Sequence, residues 1–163
     1  EIHANVDGLD ERHVEAYAKA GANYLILPSE SYIGHRLAFM IQCIHANGMK
    51  AGLTVSPAGP PALVENSIYE IDRLIVYVRD AGSHEGGVYE PSLRTLKAFR
   101  KKIDEENINC ILSSDGASNV NTIARIAEAG ADCIECSRSV FATGKSIGDS
   151  IKDLKEALAK ANI

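Results

Sequence analysis

Long apolar runs are missing from this chain of 163 residues; none approaches the roughly 18 residues that a membrane-spanning helix needs. A basic stripe is missing too. Lys and Arg number 17 against 22 Asp and Glu, for a formal charge of −5, so no patch stands ready to neutralise nucleic-acid phosphates. The triplet Arg100-Lys101-Lys102 reads as a solvated helix face. No Gly-rich dinucleotide fingerprint follows the first apolar segment, which argues against a doubly wound nucleotide-binding sheet. The opening EIHANVDGLDERHVE lacks the charged-then-apolar pattern of a signal peptide. It starts on Glu1, without Met, and runs at once into an apolar stretch, so it reads as a chain cut at its N-terminus. Neither nucleic acid nor membrane is an expected partner.

Cysteine is sparse: Cys43, Cys110, Cys133 and Cys136. The C-x-x-C spacing of the last two raises a redox or zinc reading. Both lie in ADCIEC, which reads as a buried strand, and residues three apart on a strand point to opposite faces. They are expected to be small apolar residues in the core of a cytoplasmic protein.

What the chain does have is alternation of two kinds of segment. Short apolar runs occur at 2–6, 23–28, 50–55, 73–78, 109–114 and 132–137, and amphipathic stretches of helical period at 11–20, 36–46, 61–69, 92–106, 120–129 and 146–161. In the fourth of these, Leu93, Leu96, Phe99 and Ile103 mark one helix face. Strand–helix alternation implies βαβ crossovers and a parallel sheet. AKAGANYLIL (18–27) and AEAGADCIEC (127–136) are near copies, each a helix ending at Ala-Gly-Ala with a strand at once behind it. Four strand–helix units separate them, about 27 residues each, the rhythm of a TIM (β/α)8 barrel. Six strands are visible where a barrel needs eight. The expectation is a single barrel domain over residues 1–163 that supplies strands three to eight, with two βα units lying ahead of it.

In such barrels chemistry sits at the C-terminal ends of the strands, and phosphate binds after strands seven and eight. The fifth and sixth strands run into SSDGASN (113–119) and CSRSVFATG (136–144), and the fourth into RDAGSHEGG (79–87). Gly82, Gly86 and Gly87 permit close backbone approach. Asp115 and Gly116 sit where a strand becomes a turn, and Ser137 and Arg138 open a short helical turn suited to an anion. His3 and Asp115 fall on barrel-facing positions. The residues alone leave His3 as either a satisfied core histidine or a metal ligand.

Taken together, these segments resemble the ribulose-phosphate 3-epimerase family. IHANVDGLDERHVEAYAKAGANYLIL is similar to its D-x-H-L-M-V strand and following helix, and HANGMKAGLTVSPAGPPALV to G-x-K-x-G-L-A-L-N-P-x-T-P. IDRLIVYVRDAGSHEGGVYEPSLRTLKAFRK resembles its G-F-G-G loop region, and ILSSDGASNVNTIARIAEAGADCIECSRSVF its V-D-G-G and G-S-A-I-F segments. The likeness runs colinearly over almost the whole chain.

The resemblance implies a metal-dependent 3-epimerase of a ketose phosphate. The substrate pair would be ribulose 5-phosphate and xylulose 5-phosphate, or allulose 6-phosphate and fructose 6-phosphate. It implies His3 and Asp115 as ligands of a divalent metal (Zn, Fe, Mn or Mg) and Asp115 as one of two acid/bases working at C3. Phosphate or substrate contacts would come from His3, Gly82, Gly86, Gly87, Gly116, Ala117, Ser137 and Arg138. The partner is a small phosphorylated sugar, and a homo-oligomer is expected.

Departures from the family pattern are specific. The second acid/base belongs to a strand this chain does not contain. The methionines over the reacting carbon are replaced, at Asn5 and near Val76; the second Gly of D-G-G is Ala117; and G-S has become Ser137-Arg138. His84 and Glu85 lengthen the loop at 79–87, after the fourth visible strand, by about one residue, and a solvated loop is the expectation there. These departures support a second reading, a catalytically silent sugar-phosphate-binding homologue. An aldolase-type barrel would need a Lys at a strand end, and none is visible.

Overall fold

A computed structural model describes residues 1–6, 8–57, 60–79 and 87–161. Six parallel strands lie in sequence order, β1 (Ile2–His3), β2 (Tyr24–Pro28), β3 (Lys50–Val55), β4 (Arg73–Tyr77), β5 (Ile111–Asp115) and β6 (Cys133–Ile134). The helices are α1 (Glu11–Lys19), α2 (His35–Ala46), α3 (Glu90–Glu106), α4 (Ile123–Glu128), α5 (Arg138–Phe141) and α6 (Ile147–Leu158). Parallel neighbours joined in order, with every crossover feeding the next strand, make a six-stranded half-barrel of the expected α/β class.

Period-two alternation sorts the strand side chains. Leu25, Leu27, Ala51, Leu53, Leu74, Val76 and Leu112 are fully or almost fully buried and form one cluster with Val14, Met40, Ile44, Leu96 and Phe99 of the helices. Their alternates, Ile26, Ile75 and Ser113, are equally buried and point the other way, into the space the sheet encloses. The sheet curls far enough for its two ends to meet: His3 of β1 lies 3.8 Å from Glu135, just past β6. Gly52 of β3 is required by that curvature, because a Cβ there would fall 2.3 Å from Ile26 Cδ1 and 3.0 Å from the Arg73 carbonyl.

Three expectations need correction. Residues 61–69 are two 3₁₀ turns, Pro61–Leu63 and Ser67–Tyr69, not a helix. Pro60 and Pro61 lack the N–H groups a longer helix would use, and 3₁₀ turns are the short substitute. The helix expected over 120–129 is regular only as α4. Ahead of it Asn119 and Thr122 spend their side chains on the turn, the Asn119 N–H donating to Thr122 Oγ1 at 3.0 Å and the Asn121 N–H to Asn119 Oδ1 at 2.8 Å. The first and last strands, expected over 2–6 and 132–137, are each two residues long, the first extended by an Ala4 N–H to Ile26 carbonyl bond of 2.9 Å. Among the described residues no helix is long and apolar enough to cross a membrane.

Candidate active site

The C-terminal ends of β4, β5 and β6 frame a pocket of about 430 Å³. Arg79 comes from the β4 end, Asp115 through Asn119 from the β5 end, and Glu135, Ser137, Arg138 and Ser139 from the β6 end. Asp115, Gly116, Ala117, Ser137 and Arg138, all singled out from the sequence, are therefore brought to one place. His3 faces the same enclosed space from β1 and reaches the pocket wall through Glu135. Gly87 is exposed and not among the lining residues. Gly82, Gly86, His84 and Glu85 lie outside the described residues.

The β5 loop holds an unusual backbone. Gly116 has φ 90° and Ala117 φ 51°, one of two non-glycine residues among those described with positive φ. A side chain in that region costs about 1–2 kcal/mol, so something must hold the turn. The Ala117 carbonyl accepts from the Thr122 hydroxyl and from Asn119 Nδ2 at 3.2 Å, and the Ala117 methyl is buried. A Cβ on Gly116 would approach Arg79 Cβ to 3.2 Å, so the β4 and β5 ends are close-packed here. Asp115 thus stands on a strand end whose following turn is pinned from two sides.

Below the pocket lies a charged layer that the apolar look of the strands concealed. His3 Nε2 bonds Glu1 at 2.6 Å. Arg73 Nη1 donates to Glu1 at 2.6 Å, its Nη2 to Glu135 at 3.3 Å and to Cys133 Sγ at 3.2 Å, and its Nε to Ser113 Oγ at 2.9 Å. Burial pushes the Glu135 carboxyl above the usual carboxylate range; Asp115 and Glu1 push the same way, while His3 and Arg73 oppose. Cys133 and Cys136 face opposite sides as expected: Cys133 meets Arg73 in the enclosed space, and Cys136 packs with the α4–α6 cluster. Burial raises the Cys136 thiol, so neither redox pairing nor shared metal binding suits the C-x-x-C spacing.

The residue facing the enclosed space near the end of β4 is Tyr77, whereas Val76 is 1% exposed in the outer core. The methionine replacement expected near Val76 is thus Tyr77, by alternation. Tyr77 pairs in register with Asp115, and its hydroxyl accepts from Asn5 Nδ2 at 3.3 Å. The two replaced methionine positions therefore touch each other. Burial raises the Tyr77 phenol, and the carboxylates of Asp115, Glu135 and Glu30 add to it.

Glu135, Arg79, Arg73 and Tyr77 were not foreseen as site residues. Counting alternation onward from Cys133 would have found Glu135 two places on; nothing in the sequence announces Arg73 beneath it.

The donor chemistry suits a divalent cation. Glu1, His3 and Glu135 each place one potential ligand atom within 4.8 Å of the others, and Asp115 lies near enough to Glu135 to raise its carboxyl. An imidazole nitrogen with carboxylate oxygens is a donor set for zinc, iron or manganese.

Comparison with known proteins bears on the family and the fold. The sequence model of the Ribulose-phosphate 3 epimerase family matches residues 1–141. A ribulose-phosphate 3-epimerase of Serratia marcescens is 32% identical over 141 residues, covering 86% of this chain and 66% of that protein. One from Aquifex aeolicus is 26% identical over 162 residues, covering 99% and 71%. The chain thus spans about two thirds of the length of these relatives. Among solved structures, KGPDC from Streptococcus mutans superposes with a TM-score of 0.70 at 11% identity, over 99% of this chain and 72% of that one. A 3-hexulose-6-phosphate synthase superposes with a TM-score of 0.69 at 14% identity, over 96% and 72%. At such identities the two structures speak for the barrel fold alone. With a matching family model over most of its length and the site at the strand ends, this chain belongs to the ribulose-phosphate 3-epimerase family.

Proposed function

We propose that the chain carries the larger part of a ketose-phosphate 3-epimerase, which removes and returns the proton at C3 of a pentulose 5-phosphate or hexulose 6-phosphate. One observation carries the reading: a carboxylate at a strand end, Asp115, opens into the same pocket as two loops fit for a phosphate. The Gly116–Ala117 turn offers backbone to a phosphoryl group, and Ser137 and Arg138 add a hydroxyl and a guanidinium. Binding energy from the phosphate, remote from the reacting carbon, holds C3 against the carboxylate. Asp115 then takes the proton from one face as general base and returns one as general acid. His3 and Asp115 would hold a divalent cation, which supplies Lewis acidity toward a sugar oxygen when bound. Glu1 bonds the His3 ring at 2.6 Å with Glu135 3.8 Å away, and Arg73 pairs with both carboxylates, so the imidazole is oriented by a carboxylate as a ligating imidazole commonly is. Inversion requires a second acid/base on the other face of C3, and the two βα units that would close the barrel ahead of β1 are its expected source.

A second reading rests on the polar Asn5–Tyr77 pair and on the exposed guanidinium of Arg138 at the phosphate position. It makes the protein a sugar-phosphate binder without turnover. Conversion of ribulose 5-phosphate to xylulose 5-phosphate by the full-length, metal-loaded protein separates the two. Turnover by wild type, lowered at least about 100-fold in Asp115→Asn, is the expected result, since a lost acid/base costs about 10²–10⁴. Tight binding without turnover of either a pentulose or a hexulose phosphate supports the silent homologue.

A further inference from the structure

Tyr77 stands beside Asp115 on the enclosed face of the sheet, and the way it is held leaves its hydroxyl proton available. Its Cα is the register partner of Asp115 on the neighbouring parallel strand, and neighbouring strands run about 4.8 Å apart. By strict alternation both side chains leave their strands on the enclosed face, since Leu74, Val76 and Leu112 take the outer one. The phenol oxygen accepts a hydrogen bond from Asn5 Nδ2 at 3.3 Å. Among the described residues it donates to no acceptor. An ordinary phenol keeps its proton far above neutral pH, so the enclosed face carries an O–H donor on the strand next to that of Asp115.

We propose that Tyr77 is a catalytic residue of this chain, its O–H donating to the sugar oxygen that gains negative charge as Asp115 withdraws the C3 proton, with Asn5 as the positioning residue that aims it. The inference rests on the epimerase reading. No bond to Tyr77 forms or breaks; the proton stays on the phenol, and the hydrogen bond shortens as charge develops. A donor aimed at developing charge acts on the transition state more than on the bound substrate. Its loss therefore falls on kcat. Asn5 acts only through Tyr77, by occupying the lone pair that would otherwise let the hydroxyl turn.

The test uses the full-length, metal-loaded protein with ribulose 5-phosphate and allulose 6-phosphate. It compares wild type, Tyr77→Phe and Asn5→Ala in steady-state kinetics and in the rate of deuterium uptake at C3. Tyr77→Phe keeps the ring and its packing, so a purely structural role predicts no change. The proposal expects kcat and C3 exchange to fall about 30- to 300-fold in Tyr77→Phe, within the range for loss of one oxyanion donor, with KM moving less than about threefold. Asn5→Ala is expected to lose about 3- to 10-fold in kcat, and the double variant no more than Tyr77→Phe alone. If wild type exchanges at C3 and Tyr77→Phe does so within twofold of it, the proposal is overturned while the epimerase reading stands. A loss confined to KM also overturns it. Failure of wild type to exchange with either sugar removes the reading beneath it.

Discussion

Arg138 stands where the family pattern has the serine of Gly-Ser, and its side chain is exposed at the pocket wall. A small residue at such a place lets a phosphate lie against backbone; a guanidinium offers a planar fork of charged donors. Hydrogen bonds to charged groups contribute about 1.5–3 kcal/mol each, and exposure to solvent keeps this one at the low end. Arg138→Ala is accordingly expected to weaken ribulose 5-phosphate binding about tenfold and to leave unphosphorylated ribulose unaffected. Calorimetric titration checks this, and equal affinity in the variant would show that Arg138 does not touch the phosphate. At this scale legibility was mixed. Asp115 could be read because a D-G step at a strand end is distinctive, and His3 because alternation placed it. Glu135 was within reach of the same alternation, counted from Cys133, but Tyr77 was not, since it is one letter inside a run that reads as an apolar strand. Arg73 was hidden for the same reason. It lies on the face of β4 toward the enclosed space, where an isolated strand gives no sign that Glu1 and Glu135 arrive from other strands to pair with it.

The two near-identical Ala-Gly-Ala helix ends show how the same local signal acquires different weight in context. Gly21 has φ 89° and Gly130 φ 101°, so each uses the left-handed freedom that terminates its helix. A Cβ on Gly21 would meet nothing within 4 Å. One on Gly130 would lie 2.5 Å from Arg100 Cγ and 2.6 Å from Arg100 Cβ. Arg100 is not free to retreat, for it bonds Asp132 at 3.0 Å and Asp104 at 2.6 Å. Gly21→Ala is expected to cost about 1 kcal/mol, the backbone cost alone. Gly130→Ala should cost at least about 1 kcal/mol more, from the displaced Arg100 as well. Urea denaturation of the two variants decides it, and equal midpoints would refute the packing argument. Element identity was readable wherever period and cap agreed, as in α1 with Asp10 and α6 with Ser146. Where polar side chains competed for the backbone, at Asn119 and Thr122, or Pro withheld an N–H, at 60 and 61, the expected helices shrank to turns.

At the scale of the whole molecule, the order of strands followed from the alternation of segments, while the curl of the sheet did not. Six parallel strands in sequence order are compatible with a flat or a closed arrangement. Here the contact between His3 and Glu135, across the two ends of the sheet, is what identifies the curl. The pocket itself gathers the ends of three neighbouring strands, β4, β5 and β6, with the Asp115 carboxylate among them, and the epimerase proposal depends on that convergence. The most direct test follows the C3 proton of ribulose 5-phosphate by NMR in deuterated water, with full-length metal-loaded protein and its Asp115→Asn variant. The account predicts deuterium at C3 with wild type and none above background with the variant. Exchange that persists in Asp115→Asn, or its absence in wild type despite measurable binding, would contradict it.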